Sequence, residues 1–146
     1  MKLTTGSDWL ACLDNPEAMT SLYDQTPGLS EVVLHRISLS EHGWACSFTL
    51  ATPDLPTKRP KRWSQGANTV QIEFGIAELL SFRVPQMERW PDNRAVQLRF
   101  VQRAEEVLVE ATGQLLRVEL VARRLHICGI TALQTEGLWN ATASPA

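Results

Sequence analysis

Residues 63–84, W-S-Q-G-A-N-T-V-Q-I-E-F-G-I-A-E-L-L-S-F-R-V, hold the clearest alternation in the chain. Val70, Ile72, Phe74 and Ile76 fall on one side, and Gln71 and Glu73 on the other, with Gly75 between Phe74 and Ile76. A period of two with one apolar side is the pattern of a strand that is buried on one face and wetted on the other. Beyond Gly75 a second apolar set, Leu80, Phe82 and Val84, keeps the same parity. One long strand and a bulged, bent pair both satisfy this spacing.

On either side the same alternation recurs. Residues 29–39 read as a strand in which Val33, Ile37 and Leu39 share parity with His35. A turn at Glu41, His42 and Gly43 leads to the alternating set Trp44, Cys46, Phe48 and Leu50, which makes a hairpin. After the central strand, Val96, Leu98 and Phe100 point inward with Gln97 and Arg99 outward, and Val107 and Val109 follow. Leu116, Val118 and Leu120 mark another strand, and residues 125–133 the last, where Gly129 signals a bulge. Upstream, Trp9, Leu10 and Leu13 suit a short helical turn. Asn15 then reads as a helix cap, Pro16 as the first helical residue, and Pro27-Gly28 as the stop.

Helices followed by strands joined through short turns indicate an α+β fold. The expectation is about seven strands in a largely antiparallel, curved sheet with one or two short N-terminal helices. An open sheet and a nearly closed one both fit. The 146 residues read as a single domain, 1–146, whose tail, 135–146, docks through Leu138 and Trp139 or frays.

Composition narrows the function. A hydrophobic fraction of 44%, a charged fraction of 21% and a net charge of −2 describe an ordinary folded protein. They give no reason to expect nucleic acid or a membrane as a partner. The N-terminus lacks an apolar run of signal-peptide length, and Cys12, Cys46 and Cys128 are too far apart for a disulfide framework or a zinc spacing. A reducing cytoplasm is the expected location.

Catalytic signatures are absent from the sequence. His35, His42 and His126 have no metal-ligand spacing, Ser64 lies in no nucleophile elbow, and no glycine-rich phosphate loop occurs. No catalytic residue, metal or cofactor is expected. A Cys–His pair assembled by the fold remains the one enzymatic arrangement to test. The run Lys58, Arg59, Lys61 and Arg62 sits in a proline-rich loop and suits an acidic patch on another protein. With Trp90, a residue type favoured at interface hot spots, these four are the candidate partner-binding residues.

Several segments together resemble the immunity protein 50 family of bacterial polymorphic toxin systems. They are L-D-N-P-E-A-M with S-L-Y and Pro27-Gly28-Leu29, then V-V-L-H-R-I-S-L, then L-P-x-x-R-P-x-x-W, and G-A-N-T-V-Q-I-E-F-G-I-A-E-L. The C-terminal L-R-V-E-L-V-A-R-R-L-H-I-C-G-I also fits. Pro60, Trp63, Gly66 and Asn68 match the family's pattern and read as structural: Gly66 and Asn68 suit a tight turn, and Trp63 a loop anchor. The resemblance implies a small cytoplasmic protein, monomer or homodimer, that binds a cognate protein toxin and neutralises it by steric occlusion. Two other readings stand beside it. One is a small-molecule-binding protein or enzyme with a pocket between sheet and helix, featuring His35, Cys46 or His126. The other is a domain that self-associates through a strand edge.

Overall fold

The computed structural model describes residues 2–4, 8–40, 45–88 and 96–135. The readings for residues 41–44, Trp90, Leu138 and Trp139 lie outside them. The described strands are β1 (Lys2–Thr4), β2 (Val33–Leu39), β3 (Ala45–Thr52), β4 (Thr69–Met87), β5 (Gln97–Arg103), β6 (Glu106–Thr112) and β7 (Leu116–Leu133). A 3-10 turn (Asp8–Cys12) and a one-turn helix, α1 (Glu17–Thr20), precede β2. All strand pairs are antiparallel, in the order β1-β5-β6-β7-β4-β3-β2.

The strands differ in detail from their sequence reading. Residues 116–120 and 125–133 form one strand, not two. The three-residue edge strand β1 is too short for alternation to announce it. The sheet is therefore six strands of seven or more residues with β1 added at one end.

The long β4 and β7 pair along almost their whole length and carry two half-sheets. β3 pairs with β4 only from Val70 to Ala77, whereas β6 pairs with β7 only from Arg117 to Ala122. Bulges lie in the β4–β7 ladder at Glu73/Phe74, Leu79/Ser81 and Arg83/Gln86, and each bends and twists its strand. The β2 side and the β5 side of the sheet meet. Val32, just ahead of β2, bridges Val96, just ahead of β5, through hydrogen bonds of 3.1 and 2.7 Å. The Leu98 amide also donates to the Leu29 carbonyl. The open sheet thus curls back on itself, and its inner face encloses the core.

Val70, Ile72, Phe74 and Ile76 face that core, as their alternation requires. Phe74 stacks on Phe48 at 4.7 Å and lies 5.6 Å from Trp9 and 5.9 Å from Phe100. Trp9 is 1% exposed, stacks on Phe100 at 5.7 Å, and donates its indole N–H to the Pro27 carbonyl at 2.9 Å. Trp9 and Met19 fill the space between the N-terminal segment and the sheet, where a pocket was considered.

Several parity readings differ at or beyond the bulges. In β4 the core set continues through Leu79 and Phe82, because Leu80 is the extra residue at a bulge. Leu80 and Val84, read as inward, are 45% and 40% exposed. In β2 the register skips His35, so Leu34 and Ile37 both pack on the core and His35 is exposed; Leu39 keeps the parity of Ile37 but is exposed at the end of the strand. Val33 turns to the other face and packs with Ala51.

Asn15 also differs from its reading. Its side chain does not cap α1. The amide instead donates to the Ile127 carbonyl at 2.9 Å, and its oxygen accepts from the Ile127 amide at 2.8 Å. With the Asp14 amide donating to Leu125, this pairs the β7 edge where β6 has ended. The helix is one turn long and stops at Thr20, well before Pro27-Gly28.

The outer face of the β5-β6-β7-β4 half is internally paired. Register sets Arg99, Glu110, Glu119 and Arg83 in one row across the four strands. Glu110 and Glu119 stand opposite one another, which is unfavourable for like charges. Arg117 reaches both, at 3.7 and 3.3 Å, while Arg99 binds Glu110 and Arg83 lies 3.8 Å from Glu119. Arg123 similarly joins Glu78 and Glu105.

Candidate functional site

The outer face of the other half, β2-β3-β4-β7, is arranged differently. Inward packing of Val70, Ile72 and Phe74 turns Gln71 and Glu73 outward. Register places Thr49 on one side of Glu73 and Gly129 on the other, with Thr131 opposite Gln71. The bulge in β2 brings His35 and Arg36 to the rim. These seven residues line an open cleft of about 440 Å³. Its six side chains make no hydrogen bond or ion pair with one another or with other described residues.

Two glycines of this face do opposite things. A Cβ on Gly75 would stand 2.5 Å from His126 Nε2 and 2.6 Å from Cys128 Sγ, so its bare backbone lets those side chains lie across β4. A Cβ on Gly129 would meet nothing within 4 Å. The bulge read at Gly129 falls one residue earlier, at Cys128, which the register passes over.

The fold does bring one Cys–His pair together. Cys128 Sγ lies 3.4 Å from His126 Nε2. Its electrostatics oppose nucleophilic use, because burial and then the Glu73 charge raise the Cys128 thiol above its ordinary range. Activated thiols need the reverse shift. Cys46 is buried in the core and its thiol is pushed up to about 11 by burial. Burial lowers His35, which stands on the cleft rim apart from Cys46. Among the described residues no three His, Cys, Asp or Glu side chains group to hold a metal ion.

Two expectations follow for solution chemistry. Cys128 is exposed while Cys12 and Cys46 are buried, so a thiol reagent added to the native protein should titrate one cysteine rapidly and all three after denaturation. Prompt reaction of two or more native thiols would contradict this burial. The second expectation concerns alkaline pH. Cys46 and Tyr23, the latter raised by burial and then by the Asp54 charge, stay protonated in the fold at pH values where the unfolded chain ionises them. The unfolded state then binds fewer protons, so stability falls as pH rises from about 9 to about 11. Thermal unfolding at pH 8 and pH 10.5 should show a lower Tm at the higher pH, and Cys46→Ala should reduce the difference.

The basic loop is only partly free. Lys58 lies 3.2 Å from Asp24, and its amide donates to the Leu22 carbonyl. Arg59, Lys61 and Arg62 are exposed and form no ion pair with described residues. The segment after them is tied to the end of β7. The Trp63 amide donates to Pro60, and the Trp63 ring packs on the core. A Cβ on Gly66 would come 2.8 Å from Gln134 Oε1. Asn68 donates to the Thr135 carbonyl at 2.8 Å and accepts from its amide at 3.0 Å.

Sequence reasoning did not find the cleft. Gln71 and Glu73 were legible as outward, but their neighbours Thr49, Gly129 and Thr131 join them only through register. The available signal was an acidic residue, Glu73, at an outward position of the most clearly alternating strand.

Among solved structures, the crystal structure of an uncharacterized protein from Neisseria gonorrhoeae is similar at 9% identity and a TM-score of 0.47, over 68% of this chain and 92% of that one. No curated protein matches the chain. The family model of immunity protein 50 matches residues 15–133, which include α1 and every strand from β2 to β7. The chain belongs to the immunity protein 50 family.

Proposed function

We propose that this protein binds the toxin domain encoded beside it and neutralises it stoichiometrically, by covering the toxin's active site. Family membership over residues 15–133 is the observation that carries this reading. The raised thiol of Cys128 agrees with a protein that performs no bond-making itself. A specific complex of this kind buries on the order of 1,200–2,000 Å² in total. The protein acts in the cytoplasm, where the toxin would otherwise reach its target. No helix of the described residues is long and apolar enough to cross a membrane.

Self-association through a strand edge is the weaker reading. Beyond Ala77, β4 pairs only with β7 among the described strands, and Leu80, Val84 and Met87 are exposed there. Pro85 and two bulges interrupt that edge, which are the devices that blunt strand addition. Co-expression tests the main proposal. Growth should be restored in cells making the toxin, and the two proteins should elute together at one-to-one stoichiometry. Continued killing with no co-eluting complex would defeat it.

A further inference from the structure

Resting on that reading, we infer that the cleft over Gly129 is the toxin-docking site and receives a toxin loop that presents an arginine or lysine to Glu73. The two outer half-faces supply the first argument. On the β5-β6-β7-β4 half, Glu110 and Glu119 are both bound by arginines of the same chain. On the cleft half, Glu73 is half-buried and has no cation from the described residues within ion-pairing distance. Thr49, Gln71 and Thr131 beside it are also unpaired, and offer further acceptors to a guanidinium or ammonium group. A charge-assisted, bidentate contact is the strongest bond such a carboxylate can make. The Glu73 charge is felt across this face, since it helps to raise the Cys128 thiol.

Gly129 supplies the second argument. A Cβ on Gly75 would collide with the His126 ring and Cys128, whereas one on Gly129 would meet nothing, and the Gly129 backbone is outside the left-handed region that favours glycine. A glycine inside a strand weakens the strand. What it provides here is depth, directly beside Glu73 in the register. A volume of about 440 Å³ takes more than one side chain, which suits an inserted loop.

The test uses the catalytically inactivated toxin domain encoded by the adjacent gene, titrated calorimetrically into the wild type and four variants. Gly129→Trp fills the cleft, Glu73→Gln removes the charge and keeps the shape, and Glu73→Arg reverses it. The fourth variant, Arg59→Glu with Lys61→Glu and Arg62→Glu, reverses the competing basic loop. The cleft-filling and charge-reversing variants should each weaken binding by at least about 30-fold, the scale of an interface hot spot, at unchanged Tm. Glu73→Gln should weaken it by a smaller factor and flatten its salt dependence, and it serves if Gly129→Trp fails to fold. The basic-loop variant should bind like the wild type. If the wild type binds and the Glu73 variants bind within about threefold of it, the docking site is elsewhere although the inhibitor reading survives. Loss confined to the basic-loop variant has the same meaning. If the wild type itself does not bind, both readings fall.

Discussion

Trp9→Ala is expected to cost about 4 kcal/mol of folding stability, a large part of what a domain of this size possesses. The indole is 1% exposed and touches both aromatic rings that link the half-sheets, Phe74 and Phe100. Its removal forfeits their contacts and leaves a void at the closed side of the curl. It also leaves the Pro27 carbonyl without the indole donor, 18 residues along the chain. Trp9→Phe separates the two effects. It removes the hydrogen bond while keeping part of the ring contact, so a smaller loss of about 1–2 kcal/mol is expected. Urea denaturation followed by circular dichroism measures both. A Trp9→Ala loss below about 1 kcal/mol would show that the ring is not a structural link.

Asn15→Ala should destabilise the protein by about 2–3 kcal/mol, because the Ile127 amide and carbonyl then lose their partners together. Asn15→Asp makes the sharper test. At a helix N-cap, aspartate replaces asparagine with little loss. Here a carboxylate could still accept from the Ile127 amide, but its second oxygen would face the Ile127 carbonyl with no proton between them. Asn15→Asp should therefore be nearly as destabilising as Asn15→Ala at neutral pH, with partial recovery in mild acid as the carboxyl gains a proton. An aspartate variant as stable as the wild type would restore the capping role. Equilibrium unfolding at pH 7 and pH 4.5, each compared with the wild type, distinguishes the two.

These positions show where the sequence was readable. The inward set Val70, Ile72, Phe74 and Ile76 was legible because alternation is local and the strand is unbulged there. At Leu80 and His35 the same logic failed, since the extra residue at a bulge has no partner in the register and takes no place in the alternation, while composition is unchanged. Asn15 looked like a cap because capping patterns span only three or four residues, whereas its partner lies 112 positions away. The β7 strand looked like two strands because Ala122, Arg123 and Arg124 break its alternation. That is where β7 passes beyond β6 and keeps β4 as its strand partner. Lys58 was readable as basic but not as the partner of Asp24. The cleft was hidden for the same reason: residue types are written along the chain, and register is not.

The pairing of Thr69 with Leu133 has a temporal consequence for a cell that makes this protein. A chain emerging from the ribosome can form the β2–β3 hairpin and add β4 early. Those strands must then wait, with one edge unsatisfied, until residues 116–133 are released. Every inward side chain of β7 arrives last, and with it the floor of the cleft at Gly129. Translation interrupted before β7 would leave a fragment without Gly129 and Thr131, the side of the cleft that β7 supplies. The cleft face would be complete only once residues 116–133 have been made, and folding dominated by such distant partners proceeds slowly.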